Sequence, residues 1–295
     1  MKLRNAFLFV TGLGFLTLAK ISHKLRGYTS PKPFTLAEAD RCIDYDMQIV
    51  NEWLAHFAQY TGGQTIEGRS VLELGPGSDL GAGLYLLSQG ATSYHACDVN
   101  DLANKVPDTF YNAFFIRLSG RTPPEKVAAL RESLTLFRKG LPSPLDYQVR
   151  TDFDLEKALG NQRIDVIFSQ AAFEHFDDID ATIAKATRVC RSGSIFCVEV
   201  DLQTHSRWIR EKDPNNIYRY PDWLFRLFWF RGIPNRVRPK RYAEALRRNG
   251  WLDVTLTPTT LLGDQHLGRT GWARRFRDPE SQMEYLTVLV RARLP

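Results

Sequence analysis

The residues best suited to chemistry stand where predicted core strands end. An apolar run at 71–74 is typical of a short buried strand, and it leads into the sequence ELGPGSD. Gly75 and Gly77 allow the tight or left-handed backbone that brings a main chain close to a ligand. A second strand, at 93–97, ends before Asp98, whose carboxylate can accept hydrogen bonds from the two hydroxyls of a ribose. Together these features predict an adenosine-type pocket at the carboxyl edge of a sheet.

The glycine spacing bears on which adenosine-containing ligand this pocket takes. The dinucleotide fingerprint G-x-G-x-x-G would need glycine at position 80, where the chain has Leu80. This difference weakens the interpretation as a nicotinamide or flavin site. A helical pattern follows the loop, and the N-terminus of a helix presents free N–H groups to a negatively charged group.

A second group of polar residues follows the predicted fifth strand at 194–200. Asp201 and His205 occur there in the sequence DLQTH. An imidazole can accept a proton from a hydroxyl nucleophile, and a neighbouring carboxylate can orient the imidazole. We therefore expect His205, Asp201 and the upstream His175 as catalytic residues. The alternatives are a solvent-facing loop for His205 and a role in shaping its own loop for His175.

The loop and the strand after it resemble motif I of the class I S-adenosylmethionine-dependent methyltransferases. The matching features are ELGPGSD, with Glu73 two positions before Gly75, and Asp98 at the end of the next strand. One departure from the family pattern is Asp79, which stands at the position of the third loop glycine.

The resemblance continues further along the chain. Residues 164–202, IDVIFSQAAFEHFDDIDATIAKATRVCRSGSIFCVEVDL, are similar to the family's fourth strand, its following helix and its fifth strand. The segment Phe173-Glu174-His175 matches the usual LEH of that family. The resemblance covers about 71–202 well and the C-terminal hairpin loosely.

This resemblance implies S-adenosyl-L-methionine as the cofactor and assigns residues to it. The implied cofactor-binding set is Glu73, Gly75, Gly77, Asp98, Asp152, Phe153, Ser169 and Gln170. Asp152 and Phe153, just beyond the third strand, would bracket the adenine, and Asp154 competes with Asp152 for that role. Ser169 and Gln170 would lie at the rim of the pocket. No metal site is expected.

The order of the elements predicts an α/β fold, a doubly wound, seven-stranded, mostly parallel sheet with an antiparallel C-terminal hairpin. We expect residues 1–30 to form an N-terminal segment and residues 31–295 to form the methyltransferase domain. Thr35-Leu36-Ala37-Glu38 has the form of a capping box before a helical lead-in. Two insertions, 101–146 and 206–238, would add caps, the first at the carboxyl edge where ligands bind.

Composition narrows the class of protein. The chain has 295 residues, of which 43% are hydrophobic, enough for a sizeable core. Its net charge of +6 is a mild excess, and no recognisable RNA or DNA module accompanies it, so no nucleic-acid partner is expected. The four cysteines show no C-x-x-C spacing, which argues against disulfide and metal frameworks and fits a reducing, cytoplasmic compartment.

The N-terminus is apolar between basic residues. The run at 5–19 is shorter than the roughly 20 residues of a membrane crossing. It resembles the core of a signal peptide, but export would separate the enzyme from its methyl donor. The remaining interpretations are an interfacial helix at the inner face of the membrane and a helix packed on the domain or frayed.

The function that we predict is S-adenosylmethionine-dependent transfer of a methyl group to an oxygen of a sugar, a glycan or another small-molecule acceptor. A sugar is the favoured acceptor because the segments SQ…EH and D-L-x-x-H resemble bacterial methyltransferases of polysaccharide and surface-sugar pathways. Aromatic residues interspersed with arginines at 206–238 suit a sugar ring, a phosphate-bearing lipid or a lid. The alternatives are a non-catalytic, membrane-associated protein with a relict cofactor fold and an NAD(P)-dependent oxidoreductase.

Overall fold

The computed structural model describes residues 2–27 and 38–295, and a seven-stranded sheet lies at its centre. The strands are β1 (Ser70–Leu74), β2 (Ser93–Asp98), β3 (Leu145–Val149), β4 (Ile164–Gln170), β5 (Cys190–Asp201), β6 (Leu252–Leu261) and β7 (Tyr285–Arg293). Their order across the sheet is β3-β2-β1-β4-β5-β7-β6. Strands β1 to β5 are parallel, and β7 runs antiparallel to both β5 and β6. The predicted fold class is therefore confirmed.

The order places a crevice at the centre of the sheet. The chain passes from β1 to β3 on one side and from β4 to β5 on the other, so the order reverses between β1 and β4. Such a switch point leaves a crevice at the carboxyl ends of the strands. All five residues of β1 are buried, as expected for a strand covered on both faces.

Helices cover both faces of this sheet. The helices of the described residues, including those of the cap, are α1 (Lys2–Arg26), α2 (Ala39–Thr61), α3 (Gly81–Ser88), α4 (Asp108–Ser119), α5 (Pro124–Arg138), α6 (Leu155–Leu159), α7 (Ile179–Val189), α8 (Arg207–Arg210), α9 (Asp222–Leu227) and α10 (Pro239–Arg248). Helices α2 to α5 share one hydrophobic cluster with one face, and α6, α7 and α10 share another with the opposite face. The predicted domain boundary at 30/31 and the Thr35 to Ala37 part of the capping box lie outside the described residues.

The insertion at 101–146 packs in a different place from the one expected. It forms α4 and α5, whose apolar residues Phe114 and Leu130 join the core on the α2 and α3 side. Because both helices bury these apolar residues, they pack on a face of the sheet and not at the carboxyl edge where ligands bind. None of residues 101–146 lines the cavity at that edge.

The second insertion, residues 206–238, forms a cap, and α1 lies against it. The carbonyl oxygen of Leu8 accepts a hydrogen bond of 2.9 Å from Asn216 Nδ2. Asn216 is itself held by Asp213, and Asp213 forms a completely buried ion pair with Arg219 at 2.6 Å. Because the polar groups of the cap reach the main chain of α1, this helix is packed on the domain.

The other face of α1 exposes a continuous apolar stripe. Its members are Leu3, Phe7, Val10, Leu18, Ile21 and Leu25, each at least half exposed. They recur at steps of three, four or eight residues, which places them on one side of a helix. The segment Leu3–Leu25 is long and apolar enough to cross a membrane by length and composition. The helix therefore has one packed face and one apolar face without cover from the described residues.

We predict that the fit of α1 on the cap depends on Gly12. A Cβ atom on Gly12 would lie 1.9 Å from Asn216 Oδ1 and 2.3 Å from the Tyr220 hydroxyl, whereas one on Gly14 would meet nothing within 4 Å. Both glycine-to-alanine changes raise helix propensity by about 1 kcal/mol. Gly12→Ala should nevertheless lower the free energy of unfolding by roughly 1–3 kcal/mol through overpacking. Urea unfolding of both variants provides the measurement, and equal stability of the two would contradict this packing.

Candidate active site

A cavity of about 750 Å³ opens at the carboxyl edge of the sheet. Its lining comes from the ends of β1, β2, β4 and β5, from α2 and α7, and from the cap. Six of the predicted cofactor-binding residues line it: Glu73, Gly75, Gly77, Asp98, Phe153 and Gln170. The predicted catalytic residues Asp201, His175 and His205 line the same cavity. The fold thus brings both predicted groups of residues to one space.

The loop after β1 is shaped by left-handed glycines. Gly75 has φ +74° and Gly77 has φ +81°, a region that residues with a side chain seldom adopt. A Cβ atom on Gly75 would lie 2.6 Å from the Cβ of Ala172, so the close approach also requires glycine. This loop leaves the main chain open to the cavity.

Asp98 is tied to this loop. Its carboxylate accepts a hydrogen bond of 2.9 Å from Asn100 N, and the N–H groups of Val99 and Gly77 lie near it. Burial raises the pKa of Asp98, and these three N–H groups oppose that rise. The carboxylate is therefore positioned against the bend, as the predicted contact with a ribose requires.

Two further acids sit beside Glu73 in this part of the cavity. Burial raises the pKa of Glu73 to about 8, although the Tyr94 hydroxyl donates a hydrogen bond to it. Asp79 accepts a hydrogen bond from Gly81 N at 2.8 Å and lies beside Asp46 of α2, and the two carboxyl groups influence each other's pKa. The sequence flagged Asp79 as a departure from the glycine pattern. Asp46 carried no such signal, because it sits in an ordinary helical pattern far from the loop.

The protein residues that were predicted to bracket the adenine lie in different places. Phe153 lines the cavity with φ +49°, and its ring centroid is 4.8 Å from that of Phe176. Asp152 is not among the lining residues; its carboxylate is half exposed and forms an ion pair with Arg150 at 3.0 Å. Asp154, its competitor, caps α6 by accepting a hydrogen bond from Lys157 N.

Of the two residues predicted at the rim of the pocket, only Gln170 lines the cavity. Ser169 is fully buried, and its hydroxyl donates a hydrogen bond of 2.7 Å to the Leu74 carbonyl, which fastens β4 to β1. Gln170 faces the cavity and is held from both sides, since it accepts from Trp53 Nε1 at 3.2 Å and donates to Glu199 at 2.7 Å. Ser169 therefore positions the rim, whereas Gln170 forms part of it.

At the other end of the cavity, His205 lies among acids. Its Nε2 is 3.7 Å from Asp201 Oδ2 and 3.8 Å from Glu174 Oε1. Burial and the neighbouring His175 lower the pKa of His205, and Arg210 adds to this effect while Asp201 opposes it. The imidazole is therefore neutral at pH 7, with a lone pair that can accept a proton.

The cap sets the orientation of the His175 ring through a hydrogen bond. Its Nδ1 lies 2.6 Å from the carbonyl oxygen of Gly232, so in the neutral ring this nitrogen carries the proton. Burial lowers the pKa of His175 as well. Its ring centroid is 4.8 Å from that of His205, nearly perpendicular to it.

Two further charged groups, Arg210 and Glu174, touch this end of the cavity, and neither role is evident from the sequence. Arg210 Nη2 lies 2.7 Å from Asp201 Oδ2 and so shares that carboxylate with His205. Glu174 is 2% exposed, and burial raises its pKa well above the ordinary value. The LEH-like segment pointed to Glu174 as a loop residue, but its approach to His205 depends on how β5 and the cap pack.

Glu174, His175 and His205 also raise the question of a metal. One atom of each lies within 4.8 Å of the others. Two ligands at the usual zinc distance of about 2.1 Å are at most about 4.2 Å apart, a separation that His205 Nε2 and Glu174 Oε1 meet at 3.8 Å.

Comparison with known proteins adds the following. Residues 132–198 match the family model described as "Methyltransferase domain". A search of curated protein sequences finds no match.

Among solved structures, Haemonchus contortus phosphoethanolamine N-methyltransferase 2, in complex with S-adenosyl-L-methionine, is 16% identical, with a TM-score of 0.47. The match covers 83% of this chain and 52% of that one. A structure of the CurJ carbon methyltransferase is 15% identical, with a TM-score of 0.41, over 77% of this chain and 49% of that one. An S-adenosylmethionine-dependent methyltransferase from Mesorhizobium loti is 14% identical, with a TM-score of 0.39, over 77% and 92% respectively. The chain thus spans about half the length of the first two.

The residues that match the family model include part of the border of the cavity. Residues 132–198 run from α5 through β3 and β4 into β5, and so include the β4 end that borders the cavity. Over these residues the chain matches a methyltransferase domain, which agrees with the predicted enzyme class and with S-adenosylmethionine as the predicted cofactor.

Proposed function

We propose that this chain transfers the methyl group of S-adenosylmethionine to an oxygen of a sugar, a glycan or another small-molecule acceptor. The observation that supports this proposal is that a single cavity holds the bend with Asp98 at one end and His205 with Asp201 at the other. A donor and an acceptor can therefore meet inside one space. Alignment of two reactants in this way supplies much of the rate of a displacement.

The chain offers distinct groups for the donor. Asp98 would accept hydrogen bonds from the ribose hydroxyls, and Gly75 and Gly77 would let the main chain approach. Phe153 would lie against the adenine, and Gln170 would border the reacting end. When bound, S-adenosylmethionine supplies an electrophilic methyl group on a sulfonium, which needs no metal to be transferred.

The acceptor side is polar, which suits a hydroxyl-rich compound. Asp177, Asp178, Arg210 and Arg231 line this cavity and can donate or accept hydrogen bonds. The donor would supply its methyl carbon to the acceptor oxygen, and the sulfur would keep the electron pair of the broken sulfur–carbon bond in S-adenosylhomocysteine. The hydroxyl proton passes to His205 Nε2, and the Asp201 carboxylate stabilises the imidazolium that results.

We predict that His205 is needed for turnover and not for cofactor binding. His205→Gln should slow turnover about a hundredfold or more, because the proton acceptor is lost. Purified enzyme would be given S-adenosylmethionine and a panel of sugar nucleotides, glycans and other hydroxyl compounds, with methylated products measured by mass spectrometry. His56→Ala, outside the cavity lining, is the control. Unchanged turnover in His205→Gln, or equal loss in the control, would contradict the assigned role.

The pH dependence follows from the same group. Because burial and His175 lower the pKa of His205 to about 4, its base form persists well below the usual histidine range, and activity should fall on the acid side only as the pH approaches about 4. His205→Gln should remove that acid limb from the profile of kcat/KM.

The oxidoreductase alternative predicts instead that NAD(P) stabilises the protein against heat and that S-adenosylhomocysteine does not.

We also propose that the protein works in the cytoplasm, at the inner face of the membrane, with the apolar stripe of α1 in contact with lipid. Helix α1 contains no acidic residue, and Arg4, Lys20 and Lys24 accompany its stripe. Exposed Leu227 and Trp229 of the cap lie beside its C-terminal half, where Lys20 Nζ donates a hydrogen bond to the Leu227 carbonyl. Basic residues around an exposed apolar face suit a surface of anionic lipid.

This proposal predicts binding to anionic vesicles that depends on the stripe. The chain should sediment with vesicles containing phosphatidylserine more than with pure phosphatidylcholine, and salt should weaken the binding because charges are screened within about 10 Å. The test variant replaces three stripe residues by serine: Phe7, Val10 and Leu18. The matched control replaces three exposed apolar residues elsewhere: Ile116, Leu141 and Leu261. Equal sedimentation of both variants would refute the role of the stripe.

A further inference from the structure

Helix α1 reaches the active-site cavity with its C-terminal end. His23, in the last turn of α1, and Gly27, just beyond the helix, both line that cavity. Gly27 is exposed, so it lies where the cavity meets the surface. At the reacting end the side chain of His205 is 33% exposed, so an acceptor can reach it from outside. The helix that carries the apolar stripe therefore also borders the mouth of the cavity.

A short segment of the cap, residues 227–232, joins α1 to this mouth, and we call it the rim segment. Lys20 Nζ donates a hydrogen bond of 2.6 Å to the Leu227 carbonyl. The ring of His23 stacks on that of Phe230, with their centroids 4.7 Å apart and an angle of 27° between the planes. The last two turns of α1 are thus fixed to the rim segment by a polar and an aromatic contact.

The other end of the rim segment belongs to the active site. Arg231 and Gly232 line the cavity, and the Gly232 carbonyl oxygen lies 2.6 Å from His175 Nδ1. The ring of His175 in turn lies 4.8 Å from that of His205. A few direct contacts therefore lead from α1 to the proposed proton acceptor.

Exposed apolar side chains flank the mouth on both of these elements. Ile21 and Leu25, at the C-terminal end of the stripe, are 50% and 79% exposed. Leu227 and Trp229, on the rim segment, are 59% and 48% exposed. Contiguous exposed apolar groups are typical of surfaces that contact lipid or protein. The apolar surface of α1 thus continues to the opening of the active site.

The charges next to these apolar groups are positive. Lys20, Lys24, Arg226 and Arg231 are all exposed. None of the four forms an ion pair with a carboxylate within residues 2–27 and 38–295. Cations of this kind beside an apolar surface suit the phosphate groups of anionic lipids. A bilayer bound here would lie against the mouth.

We propose that the acceptor is the hydroxyl-bearing headgroup of a membrane lipid, which enters the cavity from the bilayer surface between the end of α1 and the rim segment. This inference rests on the proposed function, because it assumes methyl transfer beside His205 and contact of the α1 stripe with lipid. The polar cavity takes the headgroup, and the tail stays in the bilayer. The headgroup oxygen gains the methyl carbon, its proton passes to His205, and the sulfur keeps the electron pair of the broken bond.

A water-soluble acceptor is the alternative, with α1 serving only to hold the protein at the membrane. Matched probes separate the two cases: the hexadecyl and methyl glycosides of glucose, galactose, mannose and rhamnose. Both members of a pair carry the same sugar, but only the hexadecyl member is anchored in a bilayer by its chain. The hexadecyl glycosides are mixed into vesicles containing phosphatidylserine, and the methyl glycosides are added in solution to the same vesicles.

The first experiment gives the full chain S-adenosylmethionine and both members of each pair at equal total concentration, with methylated products measured by mass spectrometry. For at least one sugar the hexadecyl member should react about tenfold faster or more, because anchoring raises its effective concentration at the mouth. Equal rates for both members of every reacting pair would overturn the inference. Product from neither member of any pair would overturn it as well.

A variant of the mouth tests whether this opening is the route of entry. Leu25, Leu227 and Trp229 are replaced together by serine, and the rest of the stripe is retained. The preference for the hexadecyl member should fall about tenfold. The matched control, with serine at the exposed positions Ile116, Leu141 and Leu261, should keep the preference. A loss of equal size on the methyl member would give the three residues a structural role only, against the inference.

Hydrogen exchange locates the mouth without any acceptor. When vesicles containing phosphatidylserine bind, amide exchange should slow in the rim segment and in the last turn of α1. Exchange should not change in residues 139–144, which precede β3 and so lie at the opposite, amino edge of the sheet. Slower exchange confined to residues 3–18 would place the lipid away from the mouth and contradict the proposal.

Binding of S-adenosylhomocysteine separates failure of this inference from failure of the proposed function. A wild-type protein that binds this ligand but fails the glycoside or exchange test keeps the proposed function and loses only the membrane-borne acceptor. If the wild-type protein does not bind the ligand, the proposed function itself fails.

Discussion

The approach of the Asp98 carboxylate to the N–H groups of the bend after β1, Gly77 among them, holds this site together. It joins the end of β2 to the bend after β1, and it does so only because left-handed glycines turn N–H groups towards the carboxylate. Neighbouring parallel strands end at the same edge of a sheet, so the pairing of β1 with β2 brings the two together. This bend forms one wall of the cavity, and the other groups of the site lie around the same space.

The charges around the cavity are divided between its two ends. Near the bend the carboxyl groups of Asp46, Glu73 and Asp79 are buried without an ion pair to a basic side chain of the described residues, whereas Asp201 is shared by Arg210 and His205 at the other end. Burial disfavours charge in both places, so it raises the pKa of these three acids and lowers that of the His205 imidazole. A cationic donor suits the first environment, and a hydroxyl that must give up a proton suits the second.

Local sequence patterns predicted the fold and the bend, because strand, glycine loop and terminal acid lie within about thirty residues of one another. Asp46 and Arg210 could not be found in this way, since they reach the cavity only through the packing of α2 and the cap. Residues 101–146 were expected at the ligand edge, but their apolar residues, such as Phe114, pack on a sheet face instead. Asp152 was placed by resemblance next to the adenine, and Arg150 holds its carboxylate in an ion pair.

A crystal structure of the chain with S-adenosylhomocysteine tests the central claim most directly. The account predicts that the ribose hydroxyls lie within hydrogen-bonding distance of the Asp98 carboxylate and that the sulfur faces the part of the cavity that carries His205. A ligand bound without contact to Asp98, or one whose sulfur is turned away from His205, would contradict it.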